Sequence, residues 1–93
     1  MTAPSAAHVI AKGRVQGVGF RYFVQETAER LGLKGWVRNM PNGDVEAEAV
    51  GDLLAIETWL DALRKGPTMA RVEALQVDWR PLDDQYVGFQ IKA

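Results

Sequence analysis

The sequence predicts an α+β fold in which two helices cover one face of an antiparallel sheet. Three observations predict it. Two stretches with helical periodicity, around Phe20–Leu31 and Leu53–Leu63, each lie between stretches that alternate with period two. A Pro41-Asn42-Gly43 turn joins two of the alternating stretches into a hairpin. At 93 residues and 47% hydrophobic, the chain can build one core and little more.

The opening MTAPSAA has no basic n-region and no apolar h-region, so it is no signal peptide. Residues 1–6 are expected to be a disordered tail, and 7–93 the domain. From Ala7 to Arg14, Val9, Ala11 and Gly13 fall on one side and His8, Ile10 and Lys12 on the other, as in a strand. Phe20, Val24, Ala28 and Leu31, flanked by Phe23 and Thr27, form a helical stripe, and Gly32 stands where a C-cap glycine belongs. Gly35 to Asn39 and Asp44 to Val50 read as strands. Asp52 is placed to N-cap a second helix carrying Leu53, Ile56, Leu60 and Leu63, which Gly66-Pro67 ends. Leu75, Val77 and Trp79 alternate with Gln76, Asp78 and Arg80 in a further strand, and Val87, Phe89 and Ile91 make a short last one. The order βαββαβ plus a terminal β is that of a ferredoxin-like split βαβ sandwich. Right-handed crossovers set the third strand beside the first, with the second beyond it; the place of the last strand stays open.

The hairpin register follows from its charges. A two-residue Asn-Gly turn would bring Val37 to the face of Glu46 and Glu48. A three-residue Pro-Asn-Gly loop, a type I turn closed by an αL glycine, shifts the pairing by one. Val37, Val45, Ala47 and Ala49 then share the helix side, and Arg38 opposes Glu46 on the open side. This register buries apolar groups and pairs charges. It also points Asn39 to the helix side, at the end of its strand. Because the first two strands run in the same direction, Asn39 and the segment after Arg14 share one edge of the sheet.

That segment, GRVQGVGFR from Gly13 to Arg21, holds three glycines, two arginines and no acid. Val15-Gln16-Gly17-Val18-Gly19-Phe20 joins a strand to a helix N-terminus, where unpaired N–H groups and the dipole suit a phosphate or carboxylate. A cation at that end opposes the dipole, so Arg21 makes sense as a fork for two oxygens of one anion. The spacing is neither a P-loop nor GxGxxG. A tight turn needing φ > 0 explains the same glycines structurally. Taken singly, Arg21 also reads as a solvated helix residue, and Asn39 as an amide capping the turn.

Other residues have plainer readings. His8 is expected at the surface without a partner, and Asp83-Asp84 in a solvated turn. Trp59 and Trp79 are expected in the core, and Trp36 on the open sheet face. A net charge of −1 offers no field for nucleic acid or an acidic membrane. No apolar run reaches membrane-spanning length. The absence of cysteine rules out disulfides, a thiol nucleophile and thiolate metal ligands, and it fits a cytoplasmic location.

GRVQGVGFR, followed by GWVRN, NGDVE, GPTMARVE and a terminal GFQI, closely resembles the acylphosphatase family, from His8 to Ile91. The resemblance puts the family's phosphate-binding arginine on Arg21 and its water-orienting asparagine on Asn39. Its backbone cradle falls on Val15, Gln16, Gly17, Val18, Gly19 and Phe20. It implies hydrolysis of small acyl phosphates to carboxylate and inorganic phosphate by a ferredoxin-like enzyme. No metal, cofactor, nucleic acid or membrane is expected, and the expected state is a monomer. Ser5 in the expected tail is the only serine, which argues against a covalent enzyme intermediate.

Two other readings compete. An RNA-binding module shares the strand order, and GVGFRYF is superficially like its aromatic-basic motif. That motif belongs on a central strand with its aromatics on the open face, whereas here it leads into a helix. A non-catalytic domain handling acyl or carbamoyl phosphate is the second, since the fold resembles the N-terminal module of hydrogenase-maturing carbamoyltransferases. Those modules precede zinc-finger and transferase segments. The sequence ends at Ala93, so a free-standing enzyme is expected.

Overall fold

The computed structural model describes residues 4–82 and 85–93. The chain forms β1 (Pro4–Arg14), α1 (Phe20–Arg30), β2 (Lys34–Asn39), β3 (Val45–Asp52), α2 (Leu53–Lys65), β4 (Arg71–Arg80) and β5 (Phe89–Ile91). The strands lie in the order β4-β1-β3-β2-β5, as the crossover rule requires of the first three. Ala7, Val9, Ala11, Val37, Val45, Ala47 and Ala49 from the sheet meet Phe20, Val24 and Ala28 of α1 and Ile56, Trp59, Leu60 and Leu63 of α2 in one buried core. Small residues on the central strands let the helices settle close. Trp59 Nε1 donates to the Val24 carbonyl at 3.2 Å, so the one polar atom of this large core residue is satisfied between the helices.

The helix ends follow local chemistry. Gly32 has φ 73°, and Gly32 N and Leu33 N donate back to Glu29 O and Ala28 O, closing α1 in a Schellman motif. Asp52 occupies the N-cap of α2 but makes no capping hydrogen bond with its side chain.

The hairpin adopts the three-residue loop. Asn39 pairs with Val45 and Arg38 with Glu46, and Met40 N donates to Asp44 O at 2.8 Å across the loop. On the open face Arg38 Nε and His8 Nε2 both donate to Glu46, at 2.6 Å each. His8, expected to be unpartnered, is therefore held between strands, its side chain only 15% exposed. Trp36 lies on the same open face, edge-on to His8.

Further departures have clear causes. β1 starts at Pro4 rather than Ala7, because Pro4, Ser5 and Ala6 pair with Asp52, Gly51 and Val50. The remaining tail and the Asp83-Asp84 turn lie outside the described residues. The sheet is not wholly antiparallel: β5 runs parallel to β2, and Gln25 Nε2 secures it by donating to Phe89 O. Val87 stays outside β5 and is exposed. Trp79 is 48% exposed rather than in the core. It has the parity of Ala7 and Val77, on the helix side, but β4 is an edge strand that α2 only partly covers.

Candidate active site

At the edge where β1 and β2 end, Val15, Gly17, Gly19, Phe20, Arg21, Tyr22, Asn39 and Ile91 line one cavity of about 160 Å³. Residues far apart in sequence meet there because the two strands run in the same direction, both antiparallel to β3. Among the described residues Arg21 is the only charged side chain of the lining.

The loop between β1 and α1 is shaped by glycine. Gly17 and Gly19 have φ of 73° and 77°, and a Cβ at either would meet nothing within 4 Å. The turn needs glycine for its backbone conformation, while the space before it is open. The first backbone bond of α1 is Phe23 N to Gly19 O, at 3.0 Å. Among the described residues, the N–H groups from Gly17 to Tyr22 donate to no protein acceptor. No acid stands in the first turn of α1 to satisfy its positive end. Arg21 itself makes no ion pair among the described residues. The result is a cluster of donors and one guanidinium, all suited to an anion.

Not every predicted loop residue faces the cavity with its side chain. Val18 packs against the core. Gln16 turns into the hairpin, where its Nε2 donates to Met40 O and Asp44 O at 2.8 Å each. It ties the loop to the turn that follows Asn39. Nothing in the local pattern foretells this role, since it depends on two carbonyls at least 24 residues away.

Asn39 ends β2 with its Oδ1 buried and without a hydrogen-bond partner among the described residues. Its other reading, as the amide that caps the turn, is taken by a different residue. Asn42 Oδ1 accepts from Asp44 N at 3.0 Å, and its Nδ2 donates to Asp44 Oδ2 at 3.1 Å. An unpaired buried amide oxygen costs about 1–3 kcal/mol, so the fold does not gain from Asn39 in this position. Tyr22 and Ile91 complete the lining without having been singled out from sequence. Tyr22 follows Arg21 in the first helical turn, and Ile91 arrives through the pairing of β5 with β2.

Titration is shifted away from the site, on the open face. Burial pushes the Glu46 carboxyl up, but the hydrogen bonds and charges of His8 and Arg38 outweigh it and hold Glu46 below its ordinary value of 4.5.

The family model described as Acylphosphatase matches residues 7–91. An acylphosphatase of Salinibacter ruber is 48% identical over 80 residues, covering 86% of this chain and 84% of that protein. The crystal structure of acylphosphatase from Bacillus subtilis superposes with a TM-score of 0.93 at 36% identity, covering 96% of this chain and 99% of that one. HypF of T. kodakarensis matches at a TM-score of 0.83 and 31% identity, covering 96% of this chain but only 12% of HypF. With a family match across nearly the whole chain and relatives of its own length, this protein belongs to the acylphosphatase family.

Proposed function

We propose that the protein hydrolyses small acyl phosphates to a carboxylate and inorganic phosphate, by in-line attack of water and without a metal. The observation that carries this reading is the convergence of free backbone N–H groups, Arg21 and Asn39 on one cavity. The N–H groups of Val15 to Phe20 and the Arg21 fork hold the phosphoryl oxygens. Their positive charge stabilises the spread negative charge of a loose transition state, for which positioning and electrostatics supply most of the catalysis. Asn39 orients the water. The carboxylate leaves without strong acid assistance because it is a weak base.

The same reading takes the chain from Pro4 onward as one domain acting as a cytoplasmic monomer, with inorganic phosphate as product and no nucleic-acid partner. Phe20 is buried and Phe23 packs against the core, which leaves neither ring free to stack on a base. No helix among the described residues is long and apolar enough to cross a membrane. The test is turnover of acetyl phosphate by purified protein after exhaustive chelation, with inorganic phosphate as competitive inhibitor. Activity should persist at the untreated rate. Loss with EDTA and recovery with a divalent ion would reject the metal-free mechanism, and absence of turnover in any condition would reject the function.

A further inference from the structure

The site has an apolar component that phosphate chemistry leaves unused. Among the described residues seven large apolar side chains are exposed, and two of them, Tyr22 at 68% and Ile91 at 38%, line the active-site cavity. A scattered exposed apolar residue needs no explanation, but two at one cavity mouth do. The cavity is also small. At about 160 Å³ it is well under the roughly 300 Å³ at which pockets begin to enclose a drug-sized ligand. With the phosphoryl group inside, a sizeable acyl group must lie at the mouth against whatever the rim presents.

In-line geometry selects between the two rim residues. Attack and departure occur on opposite sides of phosphorus, so the acyl group leaves on the side away from the water that Asn39 orients. Ile91 pairs with Val37 in the strand that carries Asn39, and therefore stands on the water's side. Tyr22 belongs to the anion-binding end of α1, directly after Arg21. Among the described residues no charged side chain other than Arg21 lines the cavity, so none of them rewards an anionic acyl group by a second charge.

Resting on the function proposed above, we infer that Tyr22 forms the acyl-group subsite, and that acyl phosphates with an aromatic or extended apolar acyl group are the favoured substrates. The phenol ring gives a flat apolar surface on which such a group packs as it leaves, while an acetyl group reaches little of it. Contact made in the transition state raises kcat/KM for the larger substrate without altering how phosphate is held.

The experiment compares kcat/KM for benzoyl phosphate and acetyl phosphate in the wild type, Tyr22→Ala and Ile91→Thr. Intrinsic leaving-group reactivity is common to all three proteins, so the change in the benzoyl-to-acetyl ratio reads the acyl contact alone. In Tyr22→Ala the ratio should fall about three- to tenfold, the range set by loss of one aromatic pair contact. The inhibition constant of inorganic phosphate should stay within about twofold by the same reasoning. Tyr22 is too exposed for its truncation to unfold the protein, and a thermal melt verifies this. An unchanged ratio in a folded, active Tyr22→Ala overturns the subsite and leaves the hydrolase reading intact. A ratio that falls in Ile91→Thr alone also overturns it and places the acyl group on the strand side. If the wild type turns over neither substrate, the underlying function fails and the subsite with it.

Discussion

Arg21 stands at the positive end of α1, where an acid would stabilise the helix and a cation opposes it. In the proposed mechanism a bound phosphoryl group reverses that sign, which would make the residue a liability to the empty fold and an asset to the complex. Lysine keeps the charge but loses the planar fork. Arg21→Lys should therefore lower kcat/KM for acetyl phosphate on the order of a hundredfold, as loss of an oriented anion donor does. It should also weaken phosphate inhibition and leave the melting temperature unchanged or slightly higher. Asn39 makes the complementary case. Its Oδ1 finds no partner among the described residues and the turn is capped by Asn42, so Asn39→Ala should cost no stability. It should lower kcat on the order of 10²–10³ with phosphate inhibition close to wild type, which turnover, inhibition and melts on one preparation would check. Parallel loss of phosphate binding would make Asn39 part of the cradle instead. That both residues meet at one edge of the sheet was legible in the sequence, because each carries a local contradiction, a cation at the wrong helix end and a polar group on an apolar parity. His8 carried none. Its carboxylate partner lies 38 residues away, and only the folded sheet brings the two together.

At the scale of elements, the hairpin was legible down to its register, because only one pairing both buried Val37 and set Arg38 against Glu46. Three residues of β5 carry too little periodicity to announce a parallel pairing, and so Ile91 was absent from the expected site. Trp79 departs from its expected core position for a similar reason: parity tells which face a residue takes, and not how far a helix extends over an edge strand. The Gln16 clamp is the contact that makes loop and hairpin one unit. Gln16→Met keeps the length and removes both donors, leaving the Met40 and Asp44 carbonyls without this partner. We expect a loss of about 1–3 kcal/mol in denaturant unfolding. Turnover of acetyl phosphate should fall with kcat more affected than phosphate inhibition, because the loop keeps its own N–H groups while its distance to Asn39 loosens. Equal loss of both would mean that the clamp shapes the cradle itself.

For the molecule as a whole, the candidate site and the acid-sensitive ion group take different sides of the sheet. The His8–Glu46–Arg38 group joins β1, β3 and β2 on the open face, whereas Asn39 has the parity of the helix side. Glu46 titrates below 4.5 in the folded protein. Above that pH the carboxylate is ionised in both states and its stabilisation is complete. Below it the unfolded chain takes up a proton that the folded chain does not, and the contribution disappears as pH falls through the folded pKa. Glu46→Gln should thus cost about 1 kcal/mol near pH 6, a modest figure because Arg38 is partly exposed. Melts taken from pH 6 to pH 3 should show the gap from wild type narrowing, while activity at neutral pH is preserved. A gap that widens on acidification would contradict the assigned direction.

The central position of β1 between β3 and β4 also governs how the chain comes to be folded. Ala7 pairs with Trp79, so one margin of this interior strand is filled from a segment some seventy residues later. Closing so long a loop carries an entropic cost that slows this pairing relative to the hairpin. During synthesis, β1 must wait with that margin unpaired until β4 has left the ribosome. A nascent chain stopped after α2 would carry both helices and the hairpin yet expose a ready strand edge to its neighbours, an aggregation hazard that the finished protein no longer presents at β1.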